Sequence, residues 1–500
     1  MPCYITDEII CQLEPAIDAV WFDSTLAAEQ LYIKDSSKFV AKNYIIAPLG
    51  KCPPNLIDIC NYLHGLSGVE YAHPNFGGEV ALNSFQINDI YFDEYPNIKI
   101  VTDYDIYSGS CWEITTGIPE IIISILDNGI EWHQDFDTSN FIPGYDFYND
   151  DSIPTPDGDR ETHGMAVAGL ICGLHNNPLP DYPPGLNRQG FYSIAGMAPG
   201  CPVQPVKMSA GGPIMDVYRL AGAIRFATQS SASVMNCSWG FPIPNDDMQT
   251  AIEDAYEYGR WGLGTVIVFA AGNMRNFDYT IHWPNNLPYV LAVGATDTTD
   301  HLYGYSCYGD SLDLVATSGH SVKPPAAPPG VWSTDRMDSL GDNPDVYTCD
   351  PNNIHYMCGF GGTSAAAPLV AGTAGLILSR NPDLFAQEVF QILRYSADTV
   401  LRWGTVNRPT PQYGYGRLNT YKALLSVVKG DVNNSGGLSI LGVTYLINFL
   451  YKGGPAPQPH TIVGDANCNG VVNIIDVTYI NSYLYYGGPE PPICFDYTGY

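Results

Sequence analysis

The sequence predicts an α/β fold in which a mainly parallel sheet is flanked by helices, with a small α+β domain before it and a small helical domain after it. Short apolar runs alternate with helical patterns through the middle of the chain, as is typical of a parallel sheet. A β-α-β pattern precedes this region, and a sequence repeat follows it. We therefore place the domains at 1–85, 86–428 and 429–492.

The composition agrees with a folded chain of several domains. Five hundred residues exceed one ordinary domain, and 45% apolar residues are enough to form cores. The 52 acidic residues against 22 basic residues give a net charge of −30, which repels nucleic-acid phosphates. No apolar run approaches the ~18 residues that a membrane span needs. We therefore expect neither nucleic-acid binding nor a membrane span.

The cysteines and the first residues bear on the cellular compartment. The 13 cysteines include no C-x-x-C pair, so zinc is not indicated, and their number favours an oxidising compartment. Cys349 with Cys358 and Cys468 with Cys494 are plausible disulfides, although the sequence alone does not determine pairing. Residues 1–20 lack the basic and apolar regions of a signal peptide, which leaves a cytosolic protein or a start further upstream open.

The elements follow in chain order from these patterns. The first unit contains a strand at 44–47, a helix at 55–66 and a strand at 69–72. Helical stripes at 215–229 and 248–258 lie among the later strands, and helices at 384–397 and 418–429 close the large domain. The apolar runs of buried-strand type are 121–126, 203–208, 233–237, 265–271 and 289–295.

The last domain is a duplication that contains a calcium-loop pattern. Gly430-Asp431-Val432-Asn433 recurs as Gly464-Asp465-Ala466-Asn467, and later segments match at the same offset. The second copy matches an EF-hand-type loop of oxygen ligands with a glycine at the sharp turn, although position 12 is Asp instead of Glu. Its candidate Ca²⁺ ligands are Asp465, Asn467, Asn469, Val471, Asn473 and Asp476. In the first copy Gly442 stands at position 12, so we expect that site to bind weakly or stay empty.

Two polar residues follow predicted strands of the large domain. Asp127 follows the strand at 121–126, and Asn273 follows the strand at 265–271. Ligands of open parallel sheets bind beyond the carboxyl ends of the strands, where both residues should lie. Alone, each is more often a structural turn residue.

A histidine and a serine complete a catalytic pattern. His163 opens a helix rich in small residues, and Ser364 lies in a Gly-Gly-Thr-Ser loop that runs into a helix. We expect Pro368 to be tolerated there because the first turn of a helix needs no intrahelical donor. A serine hydroxyl needs a base, which His163 would supply while Asp127 holds the imidazole. Asn273 and the Ser364 backbone N–H would stabilise the oxyanion.

Over about 340 residues the chain resembles the subtilisin-like serine peptidases. The resemblance rests on the segments around Asp127 and His163, on Asn236-Cys237-Ser238-Trp239-Gly240, on Ala271-Gly272-Asn273 and on the segment around Ser364. It implies a serine endopeptidase with Asp127, His163 and Ser364 as the triad and Asn273 as the oxyanion residue. It also implies that Ser238, Trp239 and Gly240 pair with the substrate backbone.

The chain departs from the family pattern at several places. Met165 stands where threonine is usual, and an insertion at about 323–356 precedes the serine segment. The segments at 127–131 and 259–262 look closer to the kexin-like branch, which cleaves after basic residues. The candidate acidic pocket walls are Asp246, Asp247 and Asp278, although solvated surface acids are the more common interpretation. Resemblance also implies calcium in this domain, for which the acid-rich stretch 146–159 is suggestive.

The terminal domains resemble known accessory modules. Residues 1–85 resemble a subtilase pro-region, so we expect autocleavage within 77–89. The duplicated tail resembles a dockerin, which implies calcium and a cohesin-like or cell-surface partner, although apolar Ile440-Leu441 and Ile474-Ile475 stand where many dockerins are polar. We expect a secreted or cell-surface serine endopeptidase. The alternative is a catalytically inactive subtilisin-fold protein that binds a surface or scaffold.

Overall fold

The computed structural model describes most of the chain. The chain divides into two compact units, Met1–Ser84 and Phe85–Tyr500. The described residues are 3–14, 19–28, 30–36, 42–48, 56–78, 111–158, 161–176, 194–210, 217–240, 244–275, 280–320, 330–337, 340–341, 355–400, 408–427, 430–433, 438–457, 461–469, 471–489 and 491–492. No helix within them is long and apolar enough to cross a membrane.

The first unit is a four-stranded antiparallel sheet with two helices. Its elements are β1 Cys3–Leu13, α1 Ala19–Ala28, β2 Leu31–Ser36, β3 Asn43–Pro48, α2 Leu56–His64 and β4 Val69–Gly78. The strand order is β2-β3-β1-β4, so β1 lies between β3 and β4 and pairs with both. The predicted β-α-β pattern is therefore a split β-α-β unit. Ile9, Cys11 and Leu13 of β1 form its core with Phe22 and Leu26 of α1.

The large unit contains the predicted parallel sheet. Its strands are β5 Ile123–Asp127, β6 Tyr145–Asp146, β7 Val203–Lys207, β8 Val234–Cys237, β9 Val266–Ala270, β10 Leu291–Thr296 and β11 Leu314–Thr317. All neighbours pair in parallel in the order β11-β10-β9-β8-β5-β7-β6. The five predicted strands are confirmed to within two residues. The direction in which successive strands are added to the sheet reverses beside β5. Asp127 is the last residue of that strand and therefore lies at this switch point.

Helices cover both faces of this sheet, and a hairpin precedes the longest of them. The helices are α3 His163–Cys172, α4 Val217–Gln229, α5 Asp246–Gly262, α6 Thr363–Arg380, α7 Ala386–Ser396 and α8 Thr420–Val427. Helix α6 is buried from Thr363 to Leu378 because its small residues let it pack closely on the sheet. The hairpin pairs β12 Val331–Thr334, which lies in the predicted insertion, with β13 Tyr356–Phe360, which begins where the insertion ends. Most of that insertion lies outside the described residues.

The duplicated tail packs within the large unit. Its elements are α9 Ile440–Lys452, a 3₁₀ turn at Thr461–Gly464 and α10 Ile474–Tyr486. Val463 packs with Leu425 beside α8, and Gly430 N–H donates to the Val463 carbonyl at 2.8 Å. The contact between Val463 and Leu425 joins the tail to α8.

The described cysteines are either disulfide-bonded or free thiols. Cys358 and Cys468 are disulfide-bonded, whereas their predicted partners Cys349 and Cys494 lie outside the described residues. Cys172, Cys201 and Cys237 are buried thiols of the large unit. Burial raises the pKa of all three, that of Cys201 to about 11.

Candidate active site

Asp127 and His163 form a hydrogen-bonded pair at the carboxyl edge of the sheet. Asp127 ends β5 and is 5% exposed, and His163 opens α3. The Nδ1 atom of His163 lies 2.8 Å from Oδ1 and 3.0 Å from Oδ2 of Asp127. Since an ionised carboxylate only accepts hydrogen bonds, Nδ1–H is the donor, and Nε2 is the proton acceptor that the neutral ring retains.

Asn128 ties the aspartate turn to the histidine helix. Its backbone N–H donates to Asp127 Oδ1 at 2.8 Å, and its side-chain oxygen accepts from the backbone N–H of Gly164 at 2.7 Å. The same residue therefore orients the carboxylate and holds the first turn of α3. The sequence pattern does not by itself indicate this role of Asn128, although the position directly after Asp127 is a signal for it.

The environment of His163 favours its charged form. Burial lowers the pKa of His163, but the charge of Asp127 and the hydrogen bond to it outweigh burial and raise that pKa above its usual value. The side chain is 37% exposed, and the Phe360 ring lies edge-on at a centroid distance of 5.5 Å. His163 can therefore hold a proton while remaining open to a substrate.

Ser364 lies in the first turn of α6, but Pro368 does not. The helix begins at Thr363, after Gly362 at φ 77°, so the expectation that Pro368 stands in the first turn is wrong. Because proline has no N–H, the carbonyl four residues earlier, that of Ser364, loses its helical donor. The Ser238 hydroxyl donates to that carbonyl at 3.1 Å and replaces the missing bond.

The Ser364 hydroxyl is engaged with the cleft wall. It donates to the Ser238 carbonyl at 3.1 Å, so the two serines bond reciprocally. A hydroxyl has a single proton, so Ser364 must rotate before it can donate to His163. Catalytic bonds are often looser before substrate binds, so this arrangement is compatible with a triad.

Asn273 is oriented by the residue before Ser364. Its side-chain oxygen accepts from the backbone N–H of Thr363 at 2.8 Å and from the Thr363 hydroxyl at 3.0 Å. With the oxygen fixed, the Nδ2 group faces the Gly362 turn, where it would lie 2.9 Å from an added Cβ. An amide donor and the N-terminus of α6 therefore lie beside Ser364, as an oxyanion site requires.

The predicted substrate-binding segment forms one wall of the cleft. Ser238 is buried, Trp239 half-buried and Gly240 exposed, and the indole N–H of Trp239 donates to the Leu126 carbonyl at 2.9 Å. Behind this segment the Asn285 amide donates to the carbonyls of Trp239 at 3.2 Å and Ala270 at 2.7 Å. Asn285 thus joins the substrate wall to the strand that leads to Asn273. No local sequence signal indicated it.

A small pocket of 190 Å³ opens beside the catalytic pair. Its lining residues are Asp127, Asn128, His163, Met208, Ser209, Ser238 and Trp239. The pocket thus brings Asp127 and His163 together with Ser238 and Trp239, and Ser364 is joined to Ser238 by the reciprocal hydrogen bonds.

The tail loop fits a calcium ion through its two acids. Asp465 and Asp476 are buried, and burial together with the charge of Asp465 raises the pKa of Asp476. The Asn467 amide donates to Asp476 at 2.6 Å, and the Asn469 backbone N–H donates to Asp465 at 3.0 Å. Two buried acids of like charge in one loop suit a hard cation, which prefers oxygen ligands. In the first copy Asp431 lies 3.7 Å from the Arg380 guanidinium instead.

The other acidic candidates from the sequence are the pocket walls and the acid-rich stretch 146–159. Asp246 and Asp247 stand in the first turn of α5, and Asp247 is ion-paired with Arg225, whose bond lowers the pKa of Asp247. Asp278 lies outside the described residues. Within the part of the chain that the structure describes, no group of three His, Cys, Asp or Glu residues is placed to hold a metal ion. Lys207, which comes from the strand at 203–207, lies among the carboxylates of the acid-rich stretch.

Comparison with known proteins identifies relatives of this chain. The Subtilase family matches residues 119–416. A calcium-dependent protease of Nostoc sp. is 28% identical over 85% of this chain, and the chain covers 64% of that protein. A thermophilic serine proteinase of Bacillus sp. is 30% identical, with 84% of this chain and 88% of that protein covered.

The solved structures support the same fold. A protease of Pseudoalteromonas arctica superposes with a TM-score of 0.54 and 24% identity, covering 68% of this chain and 99% of the other. At that identity the likeness concerns the fold alone. It agrees with the predicted parallel sheet flanked by helices.

Proposed function

The chain belongs to the subtilase family, and from that premise we propose that it is a serine endopeptidase with Asp127, His163 and Ser364 as its triad. The observation that carries the proposal is the bonding of His163 Nδ1 to both oxygens of Asp127. This pairing leaves the other ring nitrogen as the base at the edge of the cleft. Asn273, whose side-chain oxygen accepts from the N–H of Thr363 next to the serine, is the proposed oxyanion donor.

Hydrolysis would begin with rotation of the Ser364 hydroxyl from Ser238 towards His163. His163 Nε2 takes the proton as Ser364 Oγ attacks the peptide carbonyl, and Asp127 stabilises the imidazolium that forms. The same proton passes to the leaving amine when the C–N bond breaks. Water then attacks the acyl-enzyme with His163 again as base.

The oxyanion would form between two donors. One is the Asn273 amide, whose oxygen is held by Thr363, and the other is the Ser364 backbone N–H at the start of α6. The substrate backbone would add a strand along Ser238, Trp239 and Gly240. Proteins or peptides in extended conformation are therefore the proposed substrates.

Labelling of Ser364 with a fluorophosphonate tests this proposal. The reagent should attach to Ser364 in the full chain and not in Ser364→Ala. Ser379→Ala is the matched control, since Ser379 lies on the same helix and donates to the Gly375 carbonyl away from the cleft. A folded chain that takes no label would favour the alternative of an inactive binding protein.

We also propose that residues 1–85 act as a pro-region that is removed by the enzyme itself. The split β-α-β unit folds around its own core, as an independent module would. The predicted cleavage range, 77–89, lies largely outside the described residues. A processed chain in purified Ser364→Ala would show that another protease performs the cleavage.

The tail is proposed to bind one calcium ion through the loop from Asp465 to Asp476. Support comes from the two buried acids and from the relative named a calcium-dependent protease. Titration calorimetry of the full Ser364→Ala chain should give a calcium signal that Asp476→Ala removes. Asp431→Ala, in the first copy, should leave that signal unchanged.

Tethering and secretion are proposed as well. The resemblance to dockerins implies a cohesin-like or cell-surface partner, but Ile440, Leu441, Ile474 and Ile475 are exposed at the starts of α9 and α10, and such an apolar surface favours a partner other than a cohesin. The disulfide-bonded Cys358 and Cys468 favour an oxidising compartment. Fractionation of the native host should place the protein outside the cytoplasm.

A kexin-like preference for basic residues depends on acidic walls. Of the two members of the predicted set that the structure describes, Asp246 is the one that could serve, because Asp247 is engaged by Arg225. A peptide library should then show Arg or Lys at P1. Selection of Phe or Leu would contradict this preference.

A further inference from the structure

A buried lysine lies where three carboxylates of the large unit converge. Lys207 ends β7, and its side chain is 0% exposed. Its ammonium contacts the Asp157 carboxylate, lies 3.2 Å from Asp146 Oδ2 and 4.0 Å from Glu161 Oε2, and donates to the Thr155 carbonyl at 2.9 Å. A buried ammonium is tolerated only when such partners surround it.

The surrounding segment adds donors of its own to this cluster, but all of them are uncharged, and the Asp157 backbone N–H donates to Glu161 at 2.9 Å. Asp146 accepts from the backbone N–H groups of Tyr148 and Asn149 at 2.7 and 2.9 Å, and the Asn149 amide donates to Asp146 and to Asp157. Burial lowers the pKa of Lys207, but its bonds to the carboxylates outweigh burial and raise that pKa. The ammonium therefore stays charged and balances acids that would otherwise repel one another.

All four oxygen partners of Lys207 belong to one segment, 146–161, which leads to the catalytic pair. Glu161 stands two residues before His163. The Pro154 carbonyl accepts from Ile130 N–H at 2.9 Å, and a Cβ on Gly129 would lie 2.7 Å from Pro156 N, so the segment lies against the turn after Asp127. The segment therefore borders the turn that presents Asp127 to His163.

Carboxylates and a carbonyl are the ligands that calcium prefers. Resemblance to the family suggests a calcium ion for this acid-rich stretch, but the donor set is already filled by an ammonium that enters from the sheet. We propose that Lys207 is a positioning residue that takes the place of a bound cation, so that segment 146–161 needs no metal. The inference rests on the proposed role of His163 only for its functional consequence.

Replacement of the lysine by an uncharged side chain tests this inference. In a Ser364→Ala background that prevents autolysis, Lys207→Met should lower the melting temperature in chelator by roughly 5 °C or more, because three carboxylates lose their counter-charge. Calcium should restore stability, and calorimetry should find one more bound ion per chain than in the parent. Lys207→Arg, which retains the charge, should not gain that ion.

Lys422→Met is the matched control, because Lys422 also bonds an aspartate, Asp398, but at a 41% exposed position. It should gain no calcium. Terbium gives a spectroscopic readout: its luminescence should be stronger in Lys207→Met than in the parent through the nearby Tyr148 ring, and Tyr148→Phe should remove that increase. A Lys207→Met chain that gains neither calcium nor terbium would overturn the inference.

Hydrogen exchange of the unchanged lysine site decides the matter if Lys207→Met does not fold. In the Ser364→Ala chain, exchange in peptides covering 146–161 should be the same with calcium and with chelator. Slower exchange there in calcium would mean that a metal, not Lys207, fixes the segment. These measurements do not depend on catalysis, so the inference and the proposed activity can fail separately.

Discussion

His163 depends on its neighbours for both its orientation and its protonation. Asp127 bonds Nδ1 and raises the pKa of the ring, while Asn128 holds the helix that carries it. A general base must be neutral before it accepts a proton. Activity should therefore rise with pH through an ionisation above the usual histidine range.

Asp127→Asn tests this pairing. Loss of the carboxylate should lower kcat by about 10⁴-fold, as in other serine protease triads, and shift the remaining pH profile to lower pH. The sign follows because Asp127 stabilises the charged ring, so its removal lowers the pKa of His163. Steady-state kinetics from pH 5 to 9 measure both effects. An unshifted profile would mean that another group titrates.

His133 is a second histidine, and its environment lowers its pKa, whereas the environment of His163 raises it. Its Nδ1 accepts from the Asp135 backbone N–H at 3.0 Å, and its Nε2 lies 3.0 Å from the His355 carbonyl. Burial lowers the pKa of His133 to about 3, despite the bond to His355. In the neutral ring Nε2–H donates to the His355 carbonyl and Nδ1 accepts from Asp135, so both nitrogens are hydrogen-bonded. A second proton, on Nδ1, would break the bond to Asp135.

The linkage of His133 predicts acid sensitivity. Because the folded pKa is depressed, stability from this residue is present above the unfolded value near 6.5 and is lost as pH falls towards 3. The free energy of unfolding should fall by about 1.4 kcal/mol per pH unit from this group. Denaturant titrations of His133→Gln at pH 7 and 5 should show a smaller fall. The exposed His301→Gln is the control and should match the parent.

Among the elements, the β12–β13 hairpin acts on the histidine helix. The Ser333 and Thr334 hydroxyls donate to the Ala166 and Met165 carbonyls of α3. Arg336, just after β12, forms a two-point bond to Glu131 at 3.0 Å and donates to the Gly158 carbonyl at 2.6 Å. The insertion is therefore more than a surface loop, because its described part supports the catalytic edge of the sheet.

Arg336→Ala should lower the free energy of unfolding by about 3 kcal/mol, because Glu131 would lose its partner at a mostly buried position. Denaturant titration measures this loss. Arg225→Ala is the control, since that arginine pairs with Asp247 in solvent, and it should change stability little. Equal effects of the two substitutions would contradict the supporting role of the hairpin.

At the scale of the whole molecule, thiols and disulfides occupy different places. The Cys172, Cys201 and Cys237 thiols lie in the core of the large unit, and burial raises the pKa of each. Cys358 and Cys468 are disulfide-bonded in the hairpin and in the tail loop. An oxidising compartment is compatible with these thiols because the fold makes them inaccessible.

We expect the three thiols to resist alkylation in the folded protein. Iodoacetamide at pH 8 should label them only after denaturation, since the thiolate is the reactive form and reagent access is closed. Mass spectrometry of peptides from native and denatured samples would locate the label. If Cys237 in the native protein were labelled as fast as an exposed thiol, the core would open readily.

Local patterns predicted the central strands, the duplicated tail and the candidate catalytic residues. Buried strands appear as short apolar runs, and Asp127, His163, Asn273 and Ser364 stand in segments whose order and flanking residues indicate a subtilase. These features depend on neighbours along the chain, so they are visible without coordinates. The first strand, β1, escaped detection because its alternation is interrupted, and the structure shows a pairing irregularity between Ile5 and Ile9.

Only the tertiary structure determined how distant residues complete one another. Ser238 replaces the donor that Pro368 lacks, Asn285 joins two walls of the cleft, and Lys207 enters a cluster of acids that the sequence suggested for calcium. Each of these partners is far away along the chain, and a hydrogen bond or ion pair depends on separations of about 3 Å. Spacing in sequence sets no such distance; folding of the sheet and packing of α6 against it do.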